Sequence, residues 1–584
     1  PEPGPSVQKL GLTRATGMML AMAIATSGPS RRGFLQGIAA TAVGCTSLWV
    51  PGHVAAKDLA LSDRIDLLYS NQFHFNRRGE PQITIGLMEG QTEVRISAPS
   101  GLRVLPSGDG GTSIDGGGRY EIRLVRGRPS EQRFAVVLEE LAGPAVRSIE
   151  RAAKRWRELG LEPSDHELGT VFGVEGHVLD NRRVLLTCES FTSESEARAR
   201  AKELEHRHGA LGKLHPLVTR RAEGALVARD LDRDVTVRAE GVLWFAPAAR
   251  EPITVHDVLS GTTMGSGSRA DRQYWGSLYV AIDRRGKLTV VNLVSETELL
   301  AGLVPAEIYA SAPVAALRAQ AVAARGQLVS KVGTRHPGDP FLLCAEQHCQ
   351  VYAGKMREHP RTTAAVRDTA GWVAMRPDAM QLVDTVYSAN CGGHTEHNEH
   401  VWPSPADPQL RGRPDPLLSS TYSRGIDESN IGAWLSASPR SFSRPAEGGN
   451  AGAAEAYRWR ATIDPASVAG QHGVPAGLGP VRQIEVLARG RSGRAKLIRL
   501  VGDGQQVELA GELRIRRALG GLRSSMFVVL PERDRHGRFE LVGGGHGHGV
   551  GLCQHGAMGM ARGGKSHHEI LSHYYAGSKT IKLW

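Results

Sequence analysis

Three short segments of this chain concentrate side chains able to do chemistry. In Val304-Pro-Ala-Glu307-Ile-Tyr-Ala-Ser-Ala-Pro313 a carboxylate stands in an expected bend, just ahead of an alanine-rich run that carries Arg318 and Arg325. Those arginines are seven residues apart, which puts both on one face of a helix. A lone glutamate is more often a solvated surface group than an acid catalyst, so this segment does not decide by itself. In Cys344-Ala-Glu-Gln-His348-Cys349 two thiols and an imidazole fall within six residues, with His336 eight residues upstream. Two thiolates and imidazole suit tetrahedral zinc and require no redox metal. The competing reading is a pair of buried free cysteines beside a surface histidine.

The third segment, Tyr387-Ser-Ala-Asn-Cys391-Gly-Gly-His394-Thr-Glu-His397-Asn-Glu-His400, places Cys or His at every third residue. That period fits neither a helix stripe nor a strand face, so a Gly-Gly turn lining a cleft is expected. A Cys391–His nucleophile pair of the thiol-hydrolase kind is the alternative. Near the end, Gly543-Gly-Gly-His546-Gly-His548-Gly-Val-Gly551 has too much glycine for an ordinary strand or helix, and predicts close approach of backbone to a ligand or another strand. A phosphate loop would continue with Lys-Ser or Lys-Thr into a helix, whereas Leu552-Cys-Gln-His follows.

Alternation of apolar and polar residues from about Gln82 to Glu140 predicts strands. From about Arg147 to Val218 the pattern is helix, strand and helix, the second helix opening on a Ser193-x-x-Glu196 capping pattern. Short strands return from Val227 to Val294. Ser311-Ala-Pro313 then supplies N-cap and N1-proline chemistry for a helix whose apolar face is Val314, Leu317, Ala321, Ala324 and Leu328. Ser436 to Ala454 reads as an exposed loop, Trp459 to Leu541 as strands, and His567 to Tyr575 as a short helix. The expected class is α+β, multi-domain and β-rich with short helices. Its expected divisions are a signal and upstream extension (1–56), a β-rich part (57–145), an α+β insertion (146–222) and a larger domain (223–584).

Ser30-Arg31-Arg32-Gly33-Phe34-Leu35, the small apolar run to Cys45 and Val54-Ala55-Ala56 read as a twin-arginine export signal, with translation expected to start among Met18, Met19 and Met22. Cleavage after Ala56 would release the protein to the periplasm or cell wall. Gly44-Cys45 as a lipoprotein junction is the alternative, and membrane attachment is expected only through it. A length of 584 residues, 41% of them apolar and 22% charged, excludes collagen-like, wholly disordered and multi-span membrane classes. The net charge of +11 is spread along the chain and favours a polyanionic neighbour. Export and an aromatic content of 5% argue against nucleic acid. A monomer is expected.

Taken together, VPAEIYASAPVAALRAQAVAAR, CAEQHCQVYAG, AVRDTAGWVAM, VYSANCGGHTE, RGRSGR at Arg489–Arg494 and GHGVGLCQHGAMGMARGGKSHHEILSHYYAG resemble the SpoIID/LytB family, in order and spacing, from about Val291 to the C-terminus. The resemblance implies a SpoIID-type catalytic domain acting as a lytic transglycosylase on denuded peptidoglycan glycan strands, with Glu307 as its acid. It implies substrate contacts by Arg318, Arg325, Gln350, Tyr352, Tyr387, Ser388 and His548, the arginines facing lactyl carboxylates. It further implies a structural Zn2+ held by Cys344, His348, Cys349 and His336. Ala306 and Ile308 replace the family's commoner Ser and Met, and Cys553 and His555 stand where Ser and an aromatic residue are usual. The non-enzymatic branch of the family implies instead a peptidoglycan-binding factor that stimulates an N-acetylmuramoyl-L-alanine amidase. Within residues 147–218, VLLTCESFTSESEARARAKELEHRHG resembles a SPOR module, a unit that binds denuded glycan. The transglycosylase reading requires Glu307 to be protonated near neutral pH, through burial or a nearby negative charge.

Overall fold

In Glu93–Ser97 and at the start of Arg119–Arg128 burial alternates as expected, with Val94, Ile96, Tyr120 and Ile122 buried and their neighbours turned outward, whereas Pro81–Gln91 is buried continuously from Ile83 to Met88. The structure is a computed structural model that describes residues 68–69, 74–76, 78–106, 113–143, 145–174, 177–260, 268–346, 348–377, 381–415, 422–446 and 451–584. The expected export signal and Cys45 lie outside the described residues. Among these residues, no helix is long and apolar enough to cross a membrane.

Two antiparallel sheets enclose the main core. The larger runs His74–Phe75, Pro81–Gln91, Leu288–Ser295, Ser277–Ile282, Val242–Pro247, Leu102–Pro106, Ile114–Asp115, with Leu343–Cys344 added in parallel beside Pro81–Gln91. The second runs Thr236–Glu240, Glu223–Asp230, Arg119–Arg128, Glu93–Ser97, Ile253–Ser260, Ser268–Tyr274. Leu278–Ile282 and Leu288–Val291 are nearly continuous apolar runs because both faces of their sheet are covered: Val280 and Val290 face the main core, while Tyr279, Ala281 and Val291 face a smaller one with Trp244 and Phe341. Residues before 146 and after 222 therefore share sheets and a core across the expected divisions.

Between them, Glu131–Ala142, Val146–Glu158, Ser164–Leu168, Arg183–Phe191, Glu194–His208 and Lys213–Arg220 form a βαββαβ unit. Its four-stranded sheet has the order fourth, first, third, second, all antiparallel, and Trp156, Leu186 and Leu204 pack in its own core. The sheet takes a central strand from Glu131–Ala142, so the expected boundary at 146 falls inside the unit. Ser193 is the N-cap of the second helix, accepting from the Glu196 amide at 3.4 Å. A further core, absent from the sequence reading, gathers Trp459, Ile498, Leu500, Phe527 and Leu541 from two three-stranded sheets spanning 458–544.

The helix Val314–Lys331 runs through the main core and departs from expectation in two ways. Its N-cap is Pro313 itself, and it is buried on nearly every side from Ala316 to Val329 rather than along one stripe, leaving Val314 exposed. Alanine makes this feasible, since a helix with small side chains accepts close neighbours all round. Ahead of it, Ser295 caps the helix Glu296–Glu307, accepting from the Glu298 amide at 3.3 Å. Glu307 is thus the last residue of a helix, not a member of a bend.

Candidate functional site

Glu307 opens onto a groove of about 1030 Å3. Its place is set from three sides. The helix Glu296–Glu307 delivers it; Gln554, at the start of the C-terminal helix Gln554–Arg562, donates from Nε2 to its backbone carbonyl at 2.8 Å; and the Tyr387 hydroxyl bonds its carboxyl. Burial pushes the carboxyl above its ordinary 4.5, while the charge of Lys331 and the Tyr387 hydrogen bond pull the other way. The negative end of the helix dipole works in the same direction as burial. The outcome is a carboxyl whose pKa is raised by burial and moderated by Lys331 and Tyr387.

Tyr387 and Gln350 form a short relay toward this group. Gln350 donates from Nε2 to the Tyr387 hydroxyl at 3.1 Å, leaving the hydroxyl hydrogen for Glu307, and its Oε1 is buried in the groove wall without a hydrogen-bond partner. Tyr352 also lines the groove, its hydroxyl donating to Asn292 Oδ1 at 3.2 Å. His548 acts behind Tyr387. The Val550 amide donates to its Nδ1 at 3.0 Å, so the ring proton sits on Nε2, which donates to the Tyr387 carbonyl at 3.0 Å. Burial holds its pKa at about 3, so it is neutral and positions Tyr387.

The glycine-rich segment explains how these strands come so close. Gly543 and Gly544 do belong to a strand, Phe539–Gly544, against the expectation that the whole run is irregular. Farther on, Gly551 has φ +69°, and a Cβ there would lie 2.1 Å from the Val386 carbonyl oxygen. Only glycine lets Leu552–Cys553 pair with Tyr387–Ser388. Ser388 itself is buried against Gly547 and does not line the groove.

The two arginines do not meet the expectation. Arg325 is fully buried, ion-paired to the equally buried Glu296 at 2.6 Å, and also donates to the carbonyls of Trp372 and Val366. It is a core strut that no substrate can reach. Arg318, on the same face as Arg325 and away from the groove lining, pairs with Asp368 at 2.6 Å. The cation beside Glu307 is Lys331, which the sequence reading missed. It belongs to a polar stripe on the alanine-rich helix, Gln320, Gln327 and Lys331, spaced seven and four residues and therefore on one face. Gln320 accepts from Gln554 at 3.2 Å, while Gln327 and Lys331 line the groove. That stripe was the available signal.

His336, Cys344, His348 and Cys349 come together, their ligand atoms all within 4.8 Å of one another. His336 Nε2 lies 3.3 Å from His348 Nδ1 and 3.4 Å from Cys349 Sγ, and His348 Nδ1 lies 3.6 Å from Cys349 Sγ and 3.9 Å from Cys344 Sγ. Asp339 Oδ2 stands 3.1 Å from His336 Nδ1 and fixes that ring. The cluster has the donor set and the compactness to hold a metal ion. By contrast Cys391 is fully buried, its thiol within reach of Asp415 and Ser443 and its pKa driven well up by burial; His394 is equally buried. A solvent-reachable Cys–His nucleophile is not formed there.

Residues 284–375 match the family described as Stage II sporulation protein, and residues 396–551 match a Domain of unknown function (DUF8618). An Amidase enhancer from Bacillus subtilis (strain 168) is 25% identical over 296 residues, which is 48% of this chain and 40% of that protein. An uncharacterized protein from Brachyspira hyodysenteriae (strain ATCC 49526 / WA1) is 28% identical over 306 residues, 52% of this chain and 71% of that protein. The chain thus spans less than half of the amidase enhancer's length.

Proposed function

We propose, from the SpoIID/LytB-family domain that includes residues 284–375, that this protein is an exported lytic transglycosylase cleaving the bond between N-acetylmuramic acid and N-acetylglucosamine in denuded glycan strands. The observation that carries the reading is Glu307, a groove carboxyl whose pKa burial raises, whereas Glu140 in the same lining is paired with Arg183 and held below its ordinary value; Glu346 and Asp384 also line the groove. Hydrolytic glycosidases generally use two carboxyl groups. A transglycosylase needs one: Glu307 protonates the leaving oxygen, and the carboxylate so formed takes the proton of the C6 hydroxyl as that oxygen closes on C1 to give a 1,6-anhydro end. Tyr387 and Lys331 stabilise the carboxylate between these two steps, and Gln350 keeps the Tyr387 hydrogen aimed at it.

The metal cluster fits zinc. With Zn–S near 2.3 Å and Zn–N near 2.0 Å, tetrahedral ligand atoms stand about 3.3–3.8 Å apart, close to the spacings of His336, His348, Cys344 and Cys349. Bound zinc would be structural, cross-linking the 344–349 loop that leads into Gln350. The βαββαβ unit is read as SPOR-like, and failure of the protein to pellet with denuded sacculi unless that unit is present would support it.

The test is mass spectrometry of products from denuded strands incubated with wild type and with Glu307→Gln. Anhydro ends from wild type and none from the variant are expected. Reducing ends from both would sink the transglycosylase reading. The name of the Bacillus subtilis relative favours a second reading, a glycan-binding factor that stimulates an amidase. Bound but uncut strands, with stimulation of a purified amidase that survives Glu307→Gln, would establish that reading instead.

A further inference from the structure

The βαββαβ unit is joined to the groove in a way a tethered accessory module would not be. Its hairpin, Val171–Val174 with His177–Asp180, buries Phe172 and Leu179 in the main core rather than in the unit's own. Asn181, just beyond the hairpin, donates from Nδ2 to the carbonyls of Val329 at 3.2 Å and Val332 at 2.8 Å, and the Gly169 amide donates to the Gly333 carbonyl at 2.9 Å. These bonds satisfy carbonyls left open at the C-terminal end of the helix Val314–Lys331, whose last residue stands beside Glu307. The unit therefore braces the end of the helix that carries Lys331.

Its sheet also contributes to the groove lining. Arg183 and Lys213 line the same cavity as Glu307, and Arg335 and Arg357 join them from the main body. Glu140 also lines it, but it is engaged by Arg183 at 2.8 Å, and burial disfavours charge on Glu307. Lys213 is half exposed and Glu140, at 3.8 Å, is its ion-pair partner; Arg357 is exposed and has no ion pair among the described residues. Glu346 and Asp384 complete the acidic lining, Asp384 accepting from Gln327, and the basic side chains outnumber the acidic ones, an arrangement suited to a polymer carrying carboxylates beside the bond to be cut.

We infer that the βαββαβ unit is one wall of the cleavage groove, in which Lys213, with Arg357, holds carboxylates of the glycan strand. The unit then sets affinity at the site of cleavage instead of recruiting the enzyme from a distance. This rests on the glycan reading above and assigns the carboxylate contacts away from Arg318 and Arg325.

The experiment uses the full chain carrying Glu307→Gln and measures affinity for two probes: labelled denuded glycan octasaccharides, and the same strands with their lactyl carboxylates reduced to alcohols. Lys213→Ala and Arg357→Ala are each expected to weaken binding of the native strands by about fivefold or more, with no change for the reduced strands. Lys213→Arg should restore affinity, which separates lost charge from lost fold. Unchanged affinity for native strands, or an equal loss on both probes, overturns the inference while leaving the glycan reading intact. Failure of the Glu307→Gln parent to bind either probe overturns both.

Discussion

The Lys331 ammonium donates to the Cys349 backbone carbonyl at 2.6 Å, so the cation that acts on Glu307 is held by a residue of the His336–Cys344–His348–Cys349 cluster. Lys331 is also the last residue of the helix that Asn181 braces. The position of one cation near the acid is therefore decided by two distant parts of the chain, the 336–349 cluster and the βαββαβ unit. Disturbing either should be felt at Glu307.

Glu307 leads to a signed pH prediction. The proposed transglycosylase reaction requires a protonated acid, and the Glu307 pKa is raised, so cleavage should decline as pH rises through that raised value rather than through the ordinary 4.5. The Tyr387 hydrogen bond lowers that pKa, so Tyr387→Phe should move the declining limb to higher pH while slowing the reaction. A pH–rate profile of both proteins on denuded strands checks this, and a limb that moves to lower pH would contradict it.

The same shift appears in stability. A carboxyl with a raised folded pKa binds its proton more tightly in the folded state, so its contribution is present below the unfolded value and lost as pH rises through the folded one. Glu307→Gln should consequently raise Tm more at pH 8 than at pH 4. Thermal melts at the two pH values decide it, and an equal or reversed difference refutes it.

Arg325 and Arg318 should behave oppositely to what their shared helix face suggests. Arg325→Ala removes one partner of a fully buried ion pair and should cost about 3–5 kcal/mol, reducing soluble yield and Tm. Arg318→Ala breaks a substantially exposed pair with Asp368 and should cost under about 1 kcal/mol, with strand affinity unchanged. Denaturant titrations with strand binding measured in parallel check both.

For the cluster, metal analysis of protein purified without chelator should give about one zinc per chain. Cys349→Ser should abolish it and lower Tm, since binding free energy at such a site is folding free energy. A full zinc complement in Cys349→Ser would remove that residue from the ligand set.

Asn181→Ala should cost about 1–3 kcal/mol by leaving the end of the central helix without its donor. Hydrogen exchange should show amides near 329–333 opening faster while those of Trp156 and Leu204 in the unit's own core stay protected. Uniform acceleration across the chain would count against local bracing.

Much of this protein was legible in its sequence because the signals are local. Period-two strands, the serine-led helix start at Ser193 and the compact Cys344–Cys349 spacing are set by neighbours in the chain, and the structure carries each of them. Glu307, Tyr387, Gln350 and Tyr352, each singled out by its motif, line one groove. What the tertiary structure alone decided is which way equally plausible side chains face. Arg318, Arg325 and Lys331 sit on one alanine-rich helix, and heptad spacing cannot say that the face shared by the two arginines meets Glu296 and Asp368 while the face with Lys331 meets the groove. That choice follows from packing the helix on all sides, against partners 29 to 50 residues away in the chain and, through Asn181, 151 away. Burial then assigns the chemistry: the same guanidinium is a strut with a buried carboxylate beside it and a surface ion pair without one. Likewise the raised Glu307 pKa arises from burial in the folded chain, a desolvation that no single stretch of sequence encodes.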